Sequence, residues 1–112
     1  MAGWYELKKS SNDKYYFVLK AGNAEVILTS EMYEARPSAE NGIRSVQDNS
    51  VLEERYERKE AANGKFHFNL KAANHQIIGT SQMYESEQSR DKGIVSVQTN
   101  GSTTTIKDLT QA

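Results

Sequence analysis

The stretch NGKFHFNLKAANHQIIGTSQMY, residues Asn63–Tyr84, decides the fold, because the chain has already written NDKYYFVLKAGNAEVILTSEMY at Asn12–Tyr33. Shifting the sequence by 51 residues aligns Tyr5–Ser50 with Tyr56–Gly101 without a gap, and 23 of those 46 pairs are identical. This is an internal duplication of one supersecondary unit. Within each copy Tyr15, Phe17, Leu19 and Ala21, or Phe66, Phe68, Leu70 and Ala72, alternate with Tyr16, Val18 and Lys20, or His67, Asn69 and Lys71. A period of two predicts strands with one buried and one wetter face.

Working outward, a first strand is expected at Trp4–Lys9 and again at Arg55–Glu60. Asn63-Gly64 reads as a two-residue hairpin turn with positive φ at both residues, and Asn12-Asp13 as its twin. Asn23 and Asn74 suit the left-handed position of the next turns. Third strands are expected at Glu25–Thr29 and Gln76–Thr80, then helices at about Arg36–Asp48 and Glu87–Thr99. Pro37 fits a first helical turn, Ser86 is placed to cap the second helix, and Ala39, Ile43 and Val46 form one apolar face that Ile94 and Val97 repeat. Gly42 and Gly93 inside the helices point to a close approach of another element. Thr103–Leu109 alternates as a closing strand. The fold class is therefore α+β: tandem β-β-β-α-β-type repeats, 4–51 and 55–110, with antiparallel strands packed against two helices. A unit of about 50 residues with one helix buries little apolar surface alone. The expectation is one domain over residues 1–112 with an internal pseudo-twofold axis, in which an isolated repeat is unfolded or dimeric.

The quoted blocks, the Gly-Ile-x-Ser-Val pieces that begin at Gly42 and Gly93, and the Lys107–Thr110 tail resemble the YegP-like family of uncharacterised bacterial proteins. The resemblance covers nearly the whole chain. It implies two β-β-β-α-β units, in tandem or as two subunits, and a cytosolic location, and it brings no activity, cofactor or catalytic residue with it. Ala35 and Pro37 depart from the commoner helix entry of the family.

Composition narrows the function classes. The net charge is −1 and no basic block stands out, which counts against nucleic acid and anionic membranes as partners. There is no cysteine, which removes thiolate chemistry, disulfides and Cys-ligated zinc. No apolar run approaches a membrane span, and a cytoplasmic protein is expected.

Candidate chemistry is sparse. His67 falls on a strand and His75 in a turn, neither with a ligand cluster at metal spacing, so no metal and no cofactor are expected. Ser30 and Ser81 lack a nucleophile elbow. Glu34 and Glu85 occupy equivalent places and would form an acid/base pair if the pseudo-twofold axis brought them together; the plainer reading is a solvated loop before each helix. Lys20 and Lys71 share a strand face with Tyr16 and His67, the mixture that sheets binding single-stranded nucleic acid employ. Tyr33 and Tyr84, with Met32 and Met83, sit in the repeated phrase Thr-Ser-x-Met-Tyr-Glu. They read either as a cover folded back over the core or as a symmetric contact surface. The expected function is a small non-enzymatic interaction module, binding a protein partner or a second copy through a sheet edge or the repeated loops. The alternatives are single-stranded nucleic-acid binding on the Lys/Tyr face, and a small-ligand or enzyme site between the repeats.

Overall fold

The computed structural model describes residues 3–110. The elements in chain order are β1 (Trp4–Lys9), β2 (Tyr15–Lys20), β3 (Val26–Ser30), α1 (Arg36–Asn49), a short 3-10 turn (Glu53–Arg55), β4 (Tyr56–Glu60), β5 (Phe66–Lys71), β6 (Ile77–Thr80), α2 (Glu87–Asn100) and β7 (Ile106–Asp108). All seven strands form a single sheet in the order β4-β5-β6-β3-β2-β1-β7. Every pairing is antiparallel except that of β7 with β1, which is parallel. The closing strand is also shorter than the Thr103–Leu109 expected from alternation. Only Ile106–Asp108 lies flat against β1, between bonds from Tyr5 N–H to the Thr105 carbonyl (2.9 Å) and from Leu109 N–H to the Leu7 carbonyl (2.8 Å).

Equivalent residues meet in two places, which puts the pseudo-twofold axis through both. Thr29 pairs with Thr80 where β3 and β6 join the repeats. Beyond the helix C-termini Ser50 lies against Gly101, where any Cβ would overlap the Ser50 hydroxyl. Both helices contact the sheet across the repeat boundary, α1 on β5 and β6, α2 on β2 and β3. Between helices and sheet lies a continuous core that includes Tyr5, Leu7, Phe17, Leu19, Leu28, Ile43, Phe68, Leu70, Ile94 and Val97.

The tight turns depart from the sequence reading in one respect. The left-handed positions are Asp13, Ala24, Gly64 and His75, not the asparagines before them. Each loop is a turn closed by a bond from that residue's N–H to a carbonyl three positions back, followed by re-entry into the ladder one residue later. Asn23, Asn63 and Asn74 serve instead by accepting the N–H two residues on, at 3.1 Å in all three cases. The helix starts follow expectation: Pro37 lies in the first turn of α1, and Ser86 Oγ accepts the Ser89 N–H at 3.1 Å.

The repeats are also tied by polar contacts. The Tyr5 hydroxyl donates to the Gly101 carbonyl at 2.5 Å, and the Tyr56 hydroxyl to the Ser50 carbonyl at 2.6 Å. The first strand of each repeat thus caps the residue that ends the helix of the other. Both phenol pKa values are pushed up, chiefly by burial; Tyr5 is raised further by Tyr56, and Tyr56 by Glu53. Removing either hydroxyl strands a buried carbonyl, so Tyr5→Phe and Tyr56→Phe are each expected to lose about 1–3 kcal/mol in denaturant titrations. Because folding raises both pKa values, the stability is complete below the unfolded phenol value of about 10 and declines as pH rises above it. The urea midpoint of the native protein is expected to fall above that pH, and that of the double Phe variant to fall less.

Candidate functional site

The repeated phrase is a strand continuation. At the end of β3 the strand pairing is interrupted beside Ser30, whose Oγ accepts the Phe17 N–H at 2.9 Å and donates to the Glu31 carbonyl at 2.8 Å. Ser81 does the same for Phe68 N–H (3.0 Å) and the Gln82 carbonyl (2.8 Å). The backbone then regains the ladder: Tyr33 exchanges bonds of 2.7 and 2.8 Å with Tyr15, and Tyr84 does so with Phe66. Once realigned, Tyr33 stacks on Phe17 (6.4 Å between centroids) and Tyr84 on Phe68 (6.5 Å). Their hydroxyls lie over the helix glycines, where a Cβ on Gly42 would stand 2.5 Å from the Tyr33 oxygen and one on Gly93 would overlap that of Tyr84. The close approach signalled by those glycines is thus that of a tyrosine. Burial, reinforced by Glu31, raises the Tyr33 pKa. The methionines do not join this cover: Met32 is 54% exposed and Met83 50%. Ser30→Ala and Ser81→Ala each leave a buried phenylalanine N–H unpaired, and a loss of about 1–3 kcal/mol per site is expected in thermal or urea unfolding.

Glu34 and Glu85 are not brought together. Both are exposed, and each pairs with the lysine across its own loop: Glu34 with Lys14 at 3.2 Å, Glu85 with Lys65 at 3.4 Å. A shallow cleft of about 250 Å³ does lie between the repeats, where α1 faces the β5–β6 turn. Tyr33, Ser38, Asn41, Asn74 and Gln76 line it, with no carboxylate or histidine among its lining residues. Among the described residues no cluster of His, Asp and Glu has the makings of a metal site.

Lys20 and Lys71 do share the helix-free face of the sheet with Tyr16 and His67, as alternation requires. Both are neutralised there. Lys20 Nζ lies 3.2 Å from Glu6, which also accepts the Trp4 indole N–H at 3.0 Å and meets Lys8 at 3.6 Å. Lys71 Nζ lies 3.0 Å from Glu57, whose other oxygen accepts from Asn69 at 3.1 Å. These donors hold both carboxyls below the usual range, the Trp4 bond being the largest cause for Glu6 and the Asn69 bond for Glu57. The face is also drier than expected, since Glu6, Val18 and Asn69 are buried on it beneath longer neighbours.

The two outer edges of the sheet are treated differently in the two repeats. On β1, β7 fills the edge; Lys107 Nζ sits 4.3 Å from the centre of the Trp4 ring, and Asp108 is held by Arg36 of α1. Bonds from Thr110, with a smaller contribution from Arg36, depress the Asp108 pKa to about 2. On β4, no strand among the described residues occupies the equivalent edge. Leu7, buried on β1, is replaced there by Arg58, whose guanidinium reaches Glu53 at 2.7 Å and Asp91 at 3.1 Å.

A family model described as a domain of unknown function, DUF1508, matches the chain twice, at residues 10–57 and 61–108. The chain belongs to the DUF1508 family. It is 66% identical over 110 residues to the UPF0339 protein YegP of Escherichia coli K12, which covers 98% of this chain and all of the relative. A UPF0339 protein of Shewanella oneidensis is 68% identical over the same length. The solution NMR structure of Escherichia coli YegP, described as a protein of unknown function, matches with a TM-score of 0.95 at 64% identity, covering 100% of this chain and 97% of that one. The Shewanella oneidensis NMR structure matches at 0.93 with 68% identity, covering 98% and 93%. The resemblance read from the repeated blocks is thus borne out, and these DUF1508 relatives bring no activity with them. No described helix is long and apolar enough to cross a membrane.

Proposed function

We propose that the chain is a non-enzymatic interaction module, acting in the cytoplasm, that engages a protein partner by strand addition to the edge of β4. The carrying observation is the unequal treatment of two equivalent edges: β1 is completed by a parallel strand, and β4 is not. On β1 it is Tyr5 N–H and the Leu7 carbonyl that turn outward to β7. By the symmetry of the repeat Arg58 carries the same outward groups as Leu7, while Tyr56 offers its carbonyl alone, its N–H being held by the Glu53 carbonyl at the end of the 3-10 turn; main-chain bonds of this kind supply affinity in β-augmentation. Residues Arg58–Glu60 are exposed. Tyr33, Tyr84, Glu34 and Glu85 are taken up in the structural joint and its loop ion pairs, and Lys20 and Lys71 in ion pairs on the sheet face.

Arg58→Pro tests this reading, because proline removes one outward N–H yet is tolerated on an edge strand. The native protein and this variant, checked for fold by circular dichroism, are to be immobilised and exposed to cell lysate with and without nuclease. A protein retained by the native chain, insensitive to nuclease and lost with Arg58→Pro, is the expected result. Capture abolished by nuclease and by Lys20→Ala with Lys71→Ala would overturn it in favour of nucleic acid on the sheet face.

A further inference from the structure

The occupied edge is a template for what the open edge accepts. The tail segment TTTIKDLT (Thr103–Thr110) lies on β1 in the register Tyr5–Ile106, Glu6–Lys107, Leu7–Asp108. Its charges are matched: Lys107 rests on the Trp4 ring, and Asp108 meets Arg36. Shifted by 51, those surroundings change character: Arg55 stands for Trp4, Arg58 for Leu7, Glu87 for Arg36 and Asp91 for Glu40. The tail of a second copy, laid on β4 in the same register, would bring its Lys107 toward Arg55, which closes the 3-10 turn just before β4, and its Asp108 toward Glu87. Both contacts are repulsive, and like charges brought into apposition exclude a partner more sharply than weak attractions select one.

We propose that the β4 edge takes, in parallel, an extended protein segment with the opposite charge order to the chain's own tail: an acidic residue where the tail has Lys107, followed by a basic residue where it has Asp108. Two of the other charges near these places, Glu57 and Arg58, are already paired, and Lys59, on the face of Glu57, adds positive charge beside the acidic position. Glu57, which shares the sheet face with the acidic position, is held by Lys71 at 3.0 Å and Asn69 at 3.1 Å. Arg58, beside the basic position, is held by Glu53 and Asp91. Arg55 donates to Asn49 at 2.9 Å, a neutral partner that leaves its charge uncompensated for an incoming carboxylate. Glu87 is exposed and meets Arg90 only at 3.6 Å. The same inversion keeps each chain's tail on its own β1 and blocks head-to-tail chains of molecules, which a heterologous contact would otherwise propagate.

This inference rests on strand addition at β4, and the test separates the two. Three end-blocked peptides are titrated into the isotope-labelled full chain while the amides of Tyr56–Glu60 are followed by NMR: TTTIDKLT, with the charges exchanged; TTTIKDLT, the native order; and TTTITTLT, without charge. The exchanged peptide is expected to move these amides and to bind at least about tenfold more tightly than the native order, a difference of about 1.4 kcal/mol. In the Arg55→Trp, Glu87→Arg variant the preference is expected to reverse. Equal binding of all three peptides would overturn the charge rule and leave strand addition standing. No movement of the β4 amides at millimolar peptide would overturn both.

Discussion

The structure depends on a reciprocal constraint: each repeat's first strand completes the end of the other repeat's helix. Tyr5 and Tyr56 are core residues whose only polar atoms must find acceptors, and each finds the carbonyl just past the partner repeat's helix. Those carbonyls have few other donors available at a helix end. The geometry leaves room for little else on the axis, where Ser50 faces Gly101 with its hydroxyl unpartnered. A residue with a side chain at both positions would push the repeats apart. The same economy appears at the sheet seam, where a Cβ on Gly79 would stand 3.0 Å from Leu28 Cγ: the leucine of one repeat fills the space its counterpart leaves empty.

This constraint bears on where function can lie. The phrase shared by both repeats is spent on geometry, its serines bridging a break in the strand pairing and its tyrosines covering the core beside a helix glycine. The lysines that alternation placed on the open face are spent on neighbouring carboxylates. What symmetry leaves unspent is the edge of β4, and there the two repeats have diverged from Trp4, Leu7 and Arg36 to Arg55, Arg58 and Glu87. Exposed edges in natural proteins carry charge to refuse indiscriminate pairing, and a charged edge with a defined order of signs selects as well as refuses.

The repeat, the alternation within Tyr15–Leu19 and Phe66–Leu70, and the Ser86 cap were legible because each is a local pattern written in adjacent residues. The partners of Lys20 and Lys71 were not, although Glu6 and Glu57 also stand 51 apart, because a cross-strand ion pair is visible only once the register of β1 on β2 and of β4 on β5 is known. The left-handed turn positions were misread for a different reason. Asparagine tolerates that conformation, but its side chain was more useful accepting the N–H two residues on, and the strain fell to Ala24 and His75. The parallel seat of β7 joins residues about 100 positions apart, beyond any local signal. The charge inversion at β4 was present in the aligned copies from the start and acquired meaning only when β7 was seen on the other edge.

The central claim is that the interlocked repeats open as one cooperative unit. Native-state hydrogen exchange under increasing denaturant tests it most directly. The slowest amides of β2, β5, α1 and α2 are expected to converge on one opening free energy, equal to that of global unfolding, and to fall together in the Tyr5→Phe variant. Exchange of one repeat through a distinctly lower-energy opening, with the other still protected, would contradict it.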